Sequence, residues 1–104
     1  MHDIWCAICY IWQVIRSFRH KGLKELFARG FSGTVAKELQ ARCLRRLTVI
    51  DNAVALGNIN VPGFNFHPMR GKRQRYSVHV NGPWCITFEW DNGDALRINL
   101  EQYH

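Results

Sequence analysis

Negative charge is scarce in this 104-residue chain: eight aspartates and glutamates face fourteen lysines and arginines, a formal net charge of +6. That balance favours an acidic partner over a basic one. A second Cys-x-x-Cys pair is also missing. Of four cysteines only Cys6 and Cys9 have that spacing, while Cys43 and Cys85 fall on a predicted helix and a predicted strand. A structural zinc site wants four ligands, usually as two such pairs, so no metal is expected and the thiols read as reduced, as in the cytoplasm. Long apolar runs are absent too. Residues 4–15, broken by Gln13, are too short to span a bilayer and lack the basic start and small-residue cleavage site of a secretory signal.

What is present is enough to fold. A hydrophobic content of 47% with 12% aromatics supplies the apolar surface that one domain of this length must bury. The basic excess is uneven. Residues 15–50 carry nine basic side chains against Glu25 and Glu38, whereas residues 51–104 carry five of each sign. The second half is neutral only in sum, because Arg70, Lys72, Arg73 and Arg75 crowd into six positions.

The spacing predicts a short strand over residues 15–18 and a helix over 21–29, where Leu23, Leu26 and Phe27 share a face and Gly30 stops the helix. After a Gly/Ser turn, with Ser32 or Thr34 as N-cap, Ala36, Leu39, Cys43, Leu47, Ile50 and Val54 mark a second, longer amphipathic helix. Its outer face carries Lys37, Arg42, Arg45 and Arg46, which by themselves read as a solvated surface. The period then becomes two. Phe64 and Phe66 alternate with polar neighbours until Pro68 stops a strand; Tyr76, Val78 and Val80 form another; Trp84, Ile86, Phe88 and Trp90 a third; and Leu96, Ile98 and Leu100 the last, joined to the third by an Asn92-Gly93 hairpin.

These elements predict an α+β domain with two N-terminal helices on one face of an antiparallel sheet. If the helices cover Phe66, Val78, Ile86 and Ile98, then His67, Cys85, Thr87, Arg97 and Asn99 point to the other face, left open beside the cationic cluster of residues 70–75. Such a face suits a polyanion. Taken singly, His67 is an ordinary histidine at a strand end, Tyr103 and His104 an ordinary terminus, and His79 structural or solvent-exposed.

Several strings together resemble a known family. Ile15-Arg-Ser-Phe, Phe66-His-Pro-Met-Arg-Gly, Tyr76-Ser-Val-His-Val-Asn, Trp84-Cys-Ile-Thr-Phe and the terminal Tyr103-His104 are similar to the HigB toxins of the RelE/ParE superfamily, across residues 15–104. The resemblance implies a RelE/ParE-like fold with a curved sheet. It also implies a ribosome-dependent mRNA endonuclease, neutralised by a HigA-type helix-turn-helix antitoxin through which alone it meets DNA. RNA supplies its own nucleophile, the 2′-hydroxyl, so the protein must take that proton, give one to the departing 5′-oxygen, and stabilise the phosphate between, with no cofactor or metal. Carried over residue by residue, the catalytic set is His67, Arg70, Tyr103 and His104. Lys72, Arg73, Arg75 and Arg97 would bind the message, and Lys37, Arg42, Arg45 and Arg46 would dock on RNA of the small ribosomal subunit.

Two positions depart from the family pattern. Cys85 stands where the strand carries an arginine, and Gln102 where the ending carries an aspartate. A neutral thiol has no guanidinium fork, and losing one preorganised charge stabiliser costs on the order of a hundredfold in rate. Arg97, which shares the parity of Cys85, or Arg73 is placed to compensate. The alternatives are a weakened homologue that mainly binds its antitoxin, a ParE-like gyrase poison, and an unrelated small basic RNA-binding domain. Residues 1–14 lie outside the resemblance. Because GTG encodes valine internally and can start translation, Val14-Ile-Arg-Ser-Phe marks a candidate true start. Residues 1–13 are then either an over-extended start or a real but atypical apolar tail; intact mass of the natively expressed protein decides, and a species that includes Met1 would show that the extension is made.

Overall fold

The computed structural model describes residues 14–102, so the expectations for Tyr103, His104 and residues 1–13 lie outside the described residues. In chain order come α1 (Lys21–Arg29), α2 (Lys37–Asp51), a 3-10 turn (Leu56–Ile59), β1 (His67–Met69), β2 (Arg75–Asn81), β3 (Trp84–Asp91) and β4 (Asp94–Gln102). The α+β expectation takes the form of two helices and a four-stranded antiparallel sheet in the order β1-β2-β3-β4.

Helix α1 begins where the His20 ring accepts the Leu23 amide at Nδ1, 3.1 Å away, and ends at Gly30, whose φ of 87° turns its N–H back to the Leu26 carbonyl. Gly22 is required by close approach: a Cβ there would lie 2.3 Å from the Thr34 hydroxyl oxygen. Neither Ser32 nor Thr34 caps α2. Their segment is closed instead by Gln40, whose amide donates to the Ser32 and Val35 carbonyls, and the helix starts at Lys37 after Ala36. The helix also stops short of Val54, which is 77% exposed, because Asn52 turns its amide onto the Thr48 carbonyl and Asn58 collects the amides of Val54 and Ala55.

Leu39, Cys43, Leu47 and Ile50 of α2 join Leu23 and Leu26 of α1 in one core with Val78, Val80, Ile86, Phe88, Ala95 and Ile98 of the sheet. At about 25 cal/mol per Å2 of apolar surface removed from water, this shared burial is the main force holding helices to sheet. Burial pushes the Cys43 thiol up to about 11, so it stays a neutral hydrophobe.

Three strand expectations are corrected. Phe64 and Phe66 do not form a strand, because Asn65 adopts φ 48° and the Phe64 carbonyl bonds the His79 amide; the strand runs His67–Met69 instead. Pro68 lies inside it, tolerated because β1 is a sheet edge. Residues 15–18 make only isolated parallel bridges to β4, Ile15 with Ala95 and Phe18 with Ile98. In β4 itself the ladder shifts register after Thr87/Glu89, with Arg97 at φ 50°, so Ala95 rather than Leu96 shares the core face with Ile98 and Leu100.

Arg46 is corrected as well. It is only 6% exposed and leaves the solvated face of α2 to Lys37, Arg42 and Arg45. Its Nε donates to the His79 carbonyl at 2.8 Å, its Nη1 to the Arg42 carbonyl, and its guanidinium lies 4.4 Å from the Phe64 ring centroid. Burial and the adjacent Arg42 and Arg45 charges lower its pKa. It ties α2, β2 and the Phe64 loop together. Arg46→Ala is expected to cost about 2 kcal/mol in urea denaturation, since it removes both hydrogen bonds and the ring contact; an unchanged midpoint would contradict this packing role.

Candidate RNA-binding face

The antiparallel register puts the polar side chains of the sheet in rows on the face away from the helices. His67, Ser77, Thr87 and Asn99 are partnered across all four strands, His79, Cys85 and Glu101 form the next row, and Arg75 pairs with Glu89. The face is not bare, because Ser77, Cys85 and Thr87 are all less than 4% exposed. Part of their cover is a charged layer. Arg75 reaches from β2 across β3, its Nη1 2.7 Å from Glu101 Oε2 and 3.4 Å from the Thr87 hydroxyl. The same carboxylate oxygen accepts from the Thr87 hydroxyl and, at 3.3 Å, from the Asn99 amide.

This network sets the protonation states beneath it. Burial works to raise the Glu101 pKa, but the hydrogen bonds from Thr87 and Arg75, with the Arg75 charge, outweigh it and hold the carboxyl below the usual range. Burial pushes the Cys85 thiol up, and the Glu101 charge adds to that, against the hydrogen bond from Ser77 and the Arg75 charge. Cys85 is therefore a neutral thiol at pH 7 and carries no nucleophilic chemistry.

Beside Glu101 lies a cavity of about 510 Å3 ringed by Arg19, Arg70, Lys72, Arg73, Arg75 and Arg97, with Glu89, Asn99 and Glu101 as its other charged and amide groups. Six cations around two carboxylates make a phosphate-attracting pocket. Glu89 meets Arg73 at 3.4 Å and Arg97 at 3.0 Å. The sequence-based candidates Arg70, Lys72, Arg73, Arg75 and Arg97 thus converge on one place. His67 stands in the row that reaches the cavity at Asn99, and its Nδ1 lies 2.8 Å from the Asn65 carbonyl. A carbonyl only accepts, so in this contact Nδ1 is the donor.

The structure separates other candidates from this face. Lys37, Arg42 and Arg45 are exposed on α2, which packs on β2 from the opposite side, and Arg46 is buried between. Gln102 pairs with Trp84 and so has the parity opposite to Glu101. His79 shares the face by register, but its Nε2 meets the Gly82 carbonyl at 3.0 Å, a structural contact. Sequence reasoning missed Arg19, Glu89 and Glu101. The two glutamates had the parity of the open face as a signal, whereas Arg19 arrives only because the chain before α1 runs beside β4, with its amide on the Ile98 carbonyl at 2.7 Å. Among the described residues no three His, Cys, Asp or Glu side chains gather to hold a metal ion, and no helix is long and apolar enough to cross a membrane.

Comparison with known proteins places these features in a family. A family model described as the RelE-like toxin HigB of type II toxin-antitoxin systems matches residues 16–104. The Endoribonuclease HigB of Proteus vulgaris is 42% identical over 92 residues, covering 88% of this chain and 100% of that protein.

The depressed carboxyl of Glu101 has a signed consequence. Its stabilising contribution is fully present above the ordinary glutamate pKa of about 4.3 and is lost as pH falls through the lower folded value. Glu101→Gln should therefore unfold at a lower temperature than the native chain at pH 7, with the gap closing below about pH 4. A gap that is constant with pH would show that the pairing contributes nothing through its charge.

Proposed function

We infer that this chain, which belongs to the HigB-like toxins of type II toxin-antitoxin systems and is an endoribonuclease, cuts mRNA on the ribosome by attack of the RNA's own 2′-hydroxyl. The observation that carries this reading is the cationic cavity meeting the His67 row at Asn99. His67, held through Nδ1 by the Asn65 carbonyl, is the group that takes the 2′-hydroxyl proton. Arg70 and Arg75 hold the phosphate as its charge grows, and Tyr103 with His104 deliver the proton to the leaving 5′-oxygen. No metal takes part in these steps.

Lys72, Arg73 and Arg97 hold the flanking message, with Arg19 beside them. Lys37, Arg42 and Arg45, on the opposite side of the molecule, dock on RNA of the small subunit, so message and ribosome are held on different faces. A HigA-type helix-turn-helix antitoxin silences the toxin, DNA is met only through that complex, and the setting is the cytoplasm.

Cys85 does not make this a disabled copy in our reading. Arg75, rather than Arg97 or Arg73, extends over β3 beside Cys85, so a guanidinium reaches the ground that the family covers from position 85. Induction should arrest growth, and co-expression of the antitoxin should restore it. In a ribosome cleavage assay read by primer extension, His67→Ala and Arg75→Ala are each expected to lose on the order of a hundredfold in rate. Cys85→Arg is expected to bring no gain, because its guanidinium would enter ground that Arg75 occupies. Full toxicity of His67→Ala at equal protein levels rejects His67 as a catalytic residue, and a large gain in Cys85→Arg rejects the substitution by Arg75.

A further inference from the structure

A carboxylate is an odd feature in a pocket for a polyanion, since it repels the phosphates that the surrounding cations attract. Glu89 is such a carboxylate. It sits on β3, an interior strand of the sheet, with its side chain 16% exposed, and it touches two arginines that come from unrelated places. Arg73 belongs to the connection between β1 and β2, outside the strand ladder, and is 64% exposed. Arg97 projects from the β4 bulge, where its amide donates to the Ser17 hydroxyl at 2.8 Å, and it is 51% exposed. Each glutamate oxygen takes one guanidinium, Oε2 for Arg73 and Oε1 for Arg97.

Two exposed cations on separate segments would be driven apart by their own charge. One carboxylate between them reverses that. It draws both guanidiniums to the cavity that they line while engaging one Nη1 of each planar fork, so each keeps further donors for a ligand. We propose that Glu89 is a positioning residue, a clamp that sets Arg73 and Arg97 as a pair for a single phosphodiester group of the bound RNA. The clamp rests on the endoribonuclease reading, and it acts through the two arginines rather than on the reacting atoms. What it supplies is preorganisation: the pair is already assembled when the message arrives.

Glu89→Gln separates this from simple charge neutralisation, because it keeps the shape and adds one unit to the net positive charge. Neutralisation predicts tighter RNA binding and cleavage as fast as or faster than the native chain. The clamp predicts about a tenfold slower single-turnover cleavage on ribosomes with affinity for a 2′-O-methyl RNA oligonucleotide unchanged or tighter. It further predicts that Glu89→Gln adds less than twofold when Arg73→Ala and Arg97→Ala are already present. A tenfold loss of the same size in that background, or no loss in the native one, overturns the proposal. Should the native chain fail to cleave at all, the endoribonuclease reading falls while the clamp remains testable. The Nε–H signals of Arg73 and Arg97 in nitrogen-15 spectra must then shift in Glu89→Gln, with the melting temperature little changed, and signals that stay in place refute the clamp.

Discussion

A single extra residue in β4 organises both sides of this molecule. At Arg97, with φ 50°, the ladder with β3 slips, so that Glu89 faces Leu96 while Thr87 faces Asn99. Before the slip Ala95 enters the core; after it Ile98 and Leu100 do. The outer edge of β4, the last strand of the sheet, receives the chain that precedes α1. Ala95 and Ile98 each donate to that segment and accept from it, and the Ser17 hydroxyl takes the Arg97 amide. Arg19 is delivered to the cavity by the same pairing that delivers Arg97. Bulges near functional sites re-aim side chains in this way.

The second organising feature is the use of negative charge where little exists. Of the acids in the chain, Glu89 and Glu101 lie among six cations. Glu101 draws Arg75, Thr87 and Asn99 onto one oxygen, which helps cover the buried hydroxyls and thiol of the central strands and gives the sheet a polar layer. Such partly buried, multiply bonded carboxylates hold geometry better than isolated surface pairs, whose contribution is near zero. The remaining basic excess is divided by the core. One part rings the cavity, another lies on α2, and Arg46, buried with Phe64 and the His79 carbonyl, is a structural link between the helix and the sheet.

Much of the fold was legible because it is written at short range. The 3.6-residue stripe of α2, the αL glycine after α1, and the alternation of β2 and β3 report the local environment of each residue, and the Asn92-Gly93 turn carries its own geometry. The errors fell where a local rule met a tertiary contact. Pro68 did not end a strand because the strand is an edge, Phe64 left the β pattern to fill the core, and Ser32 lost its capping role to a Gln40 side chain eight residues away. The candidate site was legible as a set, since parity and a basic cluster named most of its cations, but not as a structure.

By itself the sequence determined the fold class, the face of the sheet that packs on the helices, the cationic character of the other face, and the family to which the chain belongs. All of these follow from periodicity, composition and linear motifs, which need no knowledge of which distant atoms meet. Only the tertiary structure decided that Arg46 serves the core, that Arg75 rather than Arg97 covers the ground beside Cys85, and that Glu89 joins Arg73 to Arg97. The physical reason is sequence separation. Arg46 and His79 are 33 residues apart, Arg75 and Glu101 26, and Ser17 and Arg97 80, so each pairing is set by register and a bulge that no local pattern records.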